Sequence, residues 1–318
     1  INMKILANDG LAKSGIDALK KAGFEVLTDT VAQERLVEFI NENNVLGLLV
    51  RSATKVRKDI IDNCSCLKLI GRGGVGMDNI DVEYAREKGL HVINTPAASS
   101  ASVAELVFAH LFGMVRFLFD ANRNMPLEGD TRFKELKKNY GAGIELRGKK
   151  IGIIGFGRIG REVAKIAIGQ GMEVLAHDPF CETANIDLNF FDGQTTRFKI
   201  DTIALNEVYK NADFITVHVP FQGKALITKK ELELMKDNVG LINAARGGVI
   251  DETDLLEALE SGKVRFAGLD VFVNEPNPSM KVLMSHQISM SPHIGAATLE
   301  AQDRIGTELA EQIENLLK

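Results

Sequence analysis

The chain has 318 residues, 45% hydrophobic and 25% charged, with a net charge of −5 at pH 7 and a pI of about 5.8. Such a composition suits a globular protein and excludes a broad nucleic-acid surface, though not a small cationic pocket. The length predicts two domains. Cys64, Cys66 and Cys181 supply neither a disulfide framework nor metal-ligand spacing. With no apolar run long enough to cross a bilayer and no signal peptide, a cytoplasmic protein is expected, with no metal, membrane or nucleic-acid partner.

Residues 4–94 alternate apolar runs with amphipathic stretches. Strands are predicted over Lys4–Ala7, Phe24–Leu27, Leu46–Val50, Leu67–Ile70 and Leu90–Asn94. Helices are predicted over Ser14–Ala22, Gln33–Asn41, Lys58–Asn63 and Val82–Lys88. This rhythm predicts a parallel, doubly wound sheet, whose ligands bind beyond the carboxyl ends of the strands. Arg51, Ser52 and the glycine-rich loop 71–79 lie at such ends.

Ser102 to about Asn122 reads as one long apolar helix, in which His110 reads as a satisfied core histidine. The polar segment 123–147 reads as a loop over a domain boundary. Next comes an apolar strand, Ile151–Ile154, that breaks into Gly155, Gly157 and Gly160 and then a helix. This is the G-x-G-x-x-G spacing: one glycine for the tight turn, one for approach of a pyrophosphate, one for helix–strand packing. The following strand ends at Asp178, 18 residues after Gly160, where an acid takes the ribose hydroxyls of NAD and repels the 2′-phosphate of NADP. NAD is therefore the expected cofactor. Residues 185–200, with Asp192-Gly193 at the centre, read as a surface hairpin without chemistry.

Further strands are predicted at Phe214–Pro220, Gly240–Asn243, Arg265–Phe272 and Ile288–Met290, and a last amphipathic helix from about Thr298 to Leu317. Three ionisable residues lie at or beyond strand ends. Arg246 follows a buried strand among small residues, and its planar fork suits a carboxylate. His293 suits proton transfer near neutral pH, and Glu275 could orient its ring and stabilise the imidazolium. Alcohol oxidation by NAD needs such a base while hydride leaves the carbon.

The glycine loop with Asp178, the run Asn243–Glu252, the run Leu269–Pro276 and Pro292–Ala296 come in the order and spacing of one family. Over almost its whole length the chain resembles the D-isomer-specific 2-hydroxyacid dehydrogenases. The resemblance implies an α/β protein of two doubly wound parallel-sheet domains. A Rossmann NAD-binding domain, 100–292, is inserted into a flavodoxin-like substrate-binding domain, 1–99 and 293–318. It implies catalytic roles for Arg246, Glu275 and His293. It puts Asp270 and the Ala244 carbonyl near the nicotinamide carboxamide. Val75, Arg158, Ile159, Val219 and Pro220 join the glycines and Asp178 at NAD, as do Ala245, Arg246, His293, Gly295 and Ala296. Within the family, residues 50–56 and 71–81 resemble members that act on a phosphorylated three-carbon 2-hydroxy acid. The carboxylate then falls to Arg246 with the Gly74, Val75 and Gly76 backbone, and the phosphate to Arg51 and Arg72, beside Ser52, with Lys55 and Arg57 near enough to help. Only 25 residues follow His293, so no serine-sensing domain is expected. A homodimer, or a dimer of dimers, is expected with the 102–122 helix at the contact. Two other readings stand beside this one: an unphosphorylated acid such as glyoxylate, hydroxypyruvate or D-lactate, and an NAD-sensing binding protein without catalysis.

Overall fold

A computed structural model describes residues 3–318, which form two compact units: the chain up to Ser100 with Ala296–Lys318, and Ala101–Gly295. The first unit carries β1 (Met3–Ala7), β2 (Phe24–Leu27), β3 (Val45–Val50), β4 (Leu69–Arg72) and β5 (His91–Asn94). They pair in parallel in the order β2-β1-β3-β4-β5, the flavodoxin-like arrangement. Helices α1 (Lys13–Lys21), α2 (Leu36–Asn43), α3 (Lys58–Asn63), α4 (Val82–Glu87) and the C-terminal α13 (Leu299–Leu317) flank the sheet. The central strands are apolar without alternation because both faces are covered. Leu6, Leu48 and Ile70 pack into one layer, Ile5, Leu49 and Leu69 into the other. The strand order reverses beside β1 and β3, so the loops after these strands and after β4 gather at one end of the sheet.

The second unit holds β6 (Lys150–Ile154), β7 (Glu173–His177), β10 (Phe214–Val217), β11 (Val239–Asn243), β12 (Val264–Leu269) and β13 (Ile288–Met290). These are parallel in the order β13-β12-β11-β10-β6-β7. Its helices are α5 (Ser100–Val115), α6 (Leu118–Glu128), α7 (Phe133–Asn139), α8 (Arg158–Gly169), α9 (Leu205–Asn211), α10 (Lys229–Leu234), α11 (Glu252–Glu260) and the short α12 (Met280–Leu283). The order reverses between β6 and β10, whose carboxyl ends form the switch point where such sheets bind ligands. A two-stranded antiparallel hairpin, β8 (Thr183–Asn189) and β9 (Thr195–Asp201), follows β7. Ala184 and Ile186 are buried on its inner face, while Arg197 forks onto Asp187 at 2.7 and 3.0 Å on the outer one.

Two segments differ from the sequence-based expectation. The apolar helix does not run through to Asn122. It breaks at Phe117, which takes a left-handed conformation (φ 56°), and α6 leaves α5 at 57°. The ring of Phe117 packs edge-on against Phe266 at 5.4 Å, and that tertiary contact fixes the break. Segment 123–147 is not a continuous loop, since α6 extends to Glu128 and α7 follows. Leu136 is the one buried residue of α7, and the lysines around it hid its period. Among the described residues no single helix is long and apolar enough to cross a membrane.

Candidate active site

The glycine loop opens at the end of β6. A Cβ on Gly155 would stand 2.4 Å from the His218 carbonyl oxygen, and one on Gly160 2.2 Å from that of Gly155. Packing within the chain therefore demands both glycines. Gly157 differs: a Cβ there would meet nothing within 4 Å. The space beside its backbone, at the N-terminus of α8 where Arg158 and Ile159 begin the helix, is what a pyrophosphate needs. The residues thus fit NAD. Asp178, just beyond β7, accepts the Phe156 N–H on Oδ2 and the Phe180 N–H on Oδ1, each at 2.8 Å. It thereby ties the acid of the fingerprint to the loop itself. Val219 and Pro220 follow β10 on the other side of the switch point.

Arg246 lies beyond β11. Asn243, 2% exposed, frames it: Nδ2 donates to the Arg246 carbonyl at 2.8 Å, and Oδ1 accepts the Ala245 N–H at 3.0 Å. Such an Asx frame closes a tight turn through Ala244 and Ala245. The Arg246 Nη1 donates to the Ala245 carbonyl at 2.7 Å. The next residue, Gly247, passes so close to the loop after β12 that a Cβ would lie 2.0 Å from the Phe272 carbonyl oxygen. That second loop carries Glu275. Its Oε1 accepts the Phe272 N–H at 2.9 Å, and its Oε2 meets His293 Nδ1 at 2.7 Å. The Phe272 backbone thus links the Arg246 and Glu275 loops, and Glu275 holds His293.

The His293 loop hangs on Asp270, which is 1% exposed. Oδ1 accepts the Ser291 hydroxyl at 2.6 Å and the Ile294 N–H at 2.8 Å, Oδ2 accepts the Gly295 N–H at 2.9 Å, and the Asp270 carbonyl accepts the His293 N–H at 2.8 Å. A buried carboxylate with this many donors is a rigid anchor. It holds His293 at φ 54°, a left-handed conformation that a non-glycine residue rarely keeps without support. His110 backs the anchor, with its two ring nitrogens 2.7 and 2.8 Å from the Ser289 and Ser291 hydroxyls. Burial lowers its pKa, partly opposed by the charge of Asp270. With Nδ1–H donated to Glu275, the His293 Nε2 has no partner among the described residues and can accept a proton.

The residues expected at the substrate lie in the first unit, except Arg246. Arg51 and Ser52 follow β3, and Gly74, Val75 and Gly76 follow β4. The Arg51 guanidinium has no acceptor among the described residues, and Ser52 is exposed. Arg72 turns back on its own loop, Nη1 donating to the Gly73 carbonyl at 2.7 Å. Arg57 is committed elsewhere: it pairs with Asp81 at 2.8 Å and donates to the Asp78 carbonyl at 2.9 Å. Ala296 follows Gly295 and accepts the Gln302 amide on its carbonyl at 3.0 Å. No cluster of residues suited to a metal occurs among the described residues.

Residues 108–295 match the profile described as the D-isomer specific 2-hydroxyacid dehydrogenase, NAD binding domain. The chain belongs to this family. Its relatives match it over nearly its whole length. It is 42% identical to a D-3-phosphoglycerate dehydrogenase of Methanocaldococcus jannaschii, over 99% of this chain but 58% of that protein. It is 42% identical to a hydroxypyruvate reductase of Thermotoga maritima, over 98% of this chain and 97% of that one. The crystal structure of a 3-phosphoglycerate dehydrogenase of Entamoeba histolytica with bound NAD+ superposes at a TM-score of 0.77, with 27% identity, over 100% of this chain and 96% of that one. The chain thus spans just over half the length of the phosphoglycerate dehydrogenase from M. jannaschii.

Around this cluster the sequence points to Arg246, Glu275, His293 and Asp270, while the supporting roles of Asn243 and Glu252 emerge only in the structure. Asn243 carried a signal, an Asn before two alanines at a strand end. Glu252, which accepts the Val273 N–H at 2.7 Å, carried none.

Proposed function

We propose that this chain catalyses the NAD-dependent oxidation of 3-phospho-D-glycerate to 3-phosphohydroxypyruvate, the first step of serine synthesis. The observation that carries the chemistry is the His293–Glu275 pair at 2.7 Å, its loops tied to the Arg246 turn by Phe272 and Gly247. His293 Nε2 takes the hydroxyl proton, and the Glu275 carboxylate fixes the ring and stabilises the imidazolium. Arg246 holds the substrate carboxylate in a bidentate fork. When bound, NAD supplies the hydride acceptor. In the reducing direction the protonated His293 returns its proton to the forming alcohol. The phosphate reading is supported by Arg51, whose guanidinium has no acceptor among the described residues, beside Ser52 at the end of β3.

Hydroxypyruvate reduction is the second reading, favoured by a relative of equal identity that the chain covers almost end to end. We also propose a homodimer in the reducing cytoplasm. Leu118, Leu127 and Phe133 stand 56%, 77% and 57% exposed on α6 and α7, apolar side chains of the kind a second copy would cover. The test of substrate is NADH consumption with 3-phosphohydroxypyruvate beside hydroxypyruvate, glyoxylate and pyruvate. A kcat/KM about 100-fold higher for the phosphorylated acid needs about 2.7 kcal/mol, within reach of one or two charge-assisted contacts. Equal or better turnover of an unphosphorylated acid would overturn the phosphate reading.

A further inference from the structure

The turn that carries Arg51 is held by almost every polar group of its backbone. From one side the Asp9 carboxylate, at the end of β1, accepts the N–H of Arg51 at 2.6 Å and of Thr54 at 3.1 Å on Oδ2, and the Thr54 hydroxyl at 2.5 Å on Oδ1. From the other side the Asn79 amide donates to the Arg51 carbonyl at 2.6 Å and the Thr54 carbonyl at 2.7 Å. Asn8, 2% exposed, donates to the Thr54 hydroxyl at 2.9 Å. Gln33 takes both backbone groups of Lys55, at 3.0 and 2.8 Å. Val56 donates to the Asn79 carbonyl at 2.8 Å and accepts from the Asp81 N–H at 3.0 Å. The exceptions are the N–H and carbonyl groups of Ser52 and Ala53, which find no partner among the described residues. Both residues are exposed.

A carboxylate placed beneath an anion-binding turn opposes the anion it should attract. Its cost is offset only if it does something the turn needs. Here it gathers the two N–H groups that would otherwise compete for the ligand, and leaves the two between them without a protein acceptor. Successive outward N–H groups next to a guanidinium make an anion cradle.

We propose that Asp9, with Asn79 opposing it, is a positioning residue: it sets the turn in which the Arg51 side chain and the Ser52 and Ala53 amides receive the substrate's distal phosphate. This rests on the phosphate reading above. Asp9 touches no substrate, and acts through the turn alone.

The experiment measures KM and kcat for 3-phosphohydroxypyruvate and for hydroxypyruvate in the full chain and its variants. Asp9→Ala raises the KM for the phosphorylated acid about 10-fold more than that for hydroxypyruvate, with little change in kcat. Asp9→Asn restores the KM ratio, because its carbonyl still accepts the Arg51 and Thr54 N–H groups and its amide donates to the Thr54 hydroxyl. Should Asp9→Ala fail to fold, Asn79→Ala reads the same turn from the other side. Equal loss on both acids at an unchanged KM ratio would make Asp9 a stability residue and overturn the proposal. Arg51→Ala, run in parallel, separates the two failures. If it leaves the KM ratio unmoved, the phosphate reading falls and the role of Asp9 with it. If it shifts the ratio and Asp9→Ala does not, the role of Asp9 alone falls.

Discussion

Gly247→Ala bears directly on how the Arg246 and Glu275 loops are kept in register. The added Cβ would lie 2.0 Å from the Phe272 oxygen, 2.3 Å from its carbonyl carbon and 2.8 Å from the Val273 nitrogen, all backbone atoms. An ordinary contact begins at 3.4 Å, so the two loops must part by roughly 1.4 Å, the difference of the two distances, before the repulsion is relieved. No rotamer change can absorb that. Overpacking of this kind costs about 1–3 kcal/mol in stability. The larger effect falls on catalysis, because the loop that moves carries Arg246 and the loop it pushes carries Glu275. A displacement near 1 Å costs about 10²-fold in rate when it misplaces the reacting groups. The assay is kcat/KM for NADH-dependent 2-keto acid reduction, with NADH affinity from fluorescence and a thermal melt as controls. The expected result is a folded protein with kcat/KM down about 100-fold and NADH binding largely kept. Gly169→Ala serves as the reference, since a Cβ there meets nothing within 4 Å. A folded Gly247→Ala protein with kcat/KM within about threefold of the parent would refute the register argument.

Three further outcomes follow from the same geometry. Gly157→Ala adds a Cβ to open space, so the melting temperature should hold while NADH affinity falls at least about 10-fold by titration; unchanged affinity would remove the pyrophosphate from that loop. Asp270→Ala strands the Ser291 hydroxyl and the Ile294 and Gly295 N–H groups. A stability loss of about 2–5 kcal/mol in denaturant melts and a fall in kcat are expected, whereas Asp270→Asn should keep part of both. Acid stability should track His218. Its Nδ1 is shut off from water without a partner, and burial pushes its imidazole down from 6.5 to about 4. The unfolded chain therefore binds the proton first as pH falls. Stability conferred by the neutral ring is full above 6.5 and is lost on acidification towards 4, at up to about 1.4 kcal/mol per pH unit. His218→Gln should flatten that slope in urea melts run from pH 7 to 4, and an unchanged slope would place the loss elsewhere.

Much of this site is legible in the sequence because its chemistry sits where parallel sheets put it. Gly155, Gly157, Gly160 and Asp178 keep a fixed spacing across one strand–helix–strand unit, and the physics of a pyrophosphate turn needs that spacing. Arg246 and His293 each follow a buried apolar strand, so a charged or titratable group there faces an end of the sheet. The supporting layer is harder to read. Asp9 and Asn79 are short polar residues in loops, and their partners lie 42 and 28 residues away in the chain. Nothing periodic marks such pairs. Phe117 shows the opposite failure: its segment has a continuous helical pattern, and the break comes from Phe266, nearly 150 residues further on. α7 was obscured because one buried leucine in seven residues is too little signal to set against its lysines.

The measurement that tests the account most directly is NADH consumption with 3-phosphohydroxypyruvate by the parent chain and by His293→Ala. Robust turnover by the parent is expected, with a loss of at least about 10³-fold in kcat for the variant and NADH affinity held. Turnover that survives in His293→Ala, or a parent that binds NADH yet reduces no 2-keto acid, would contradict it.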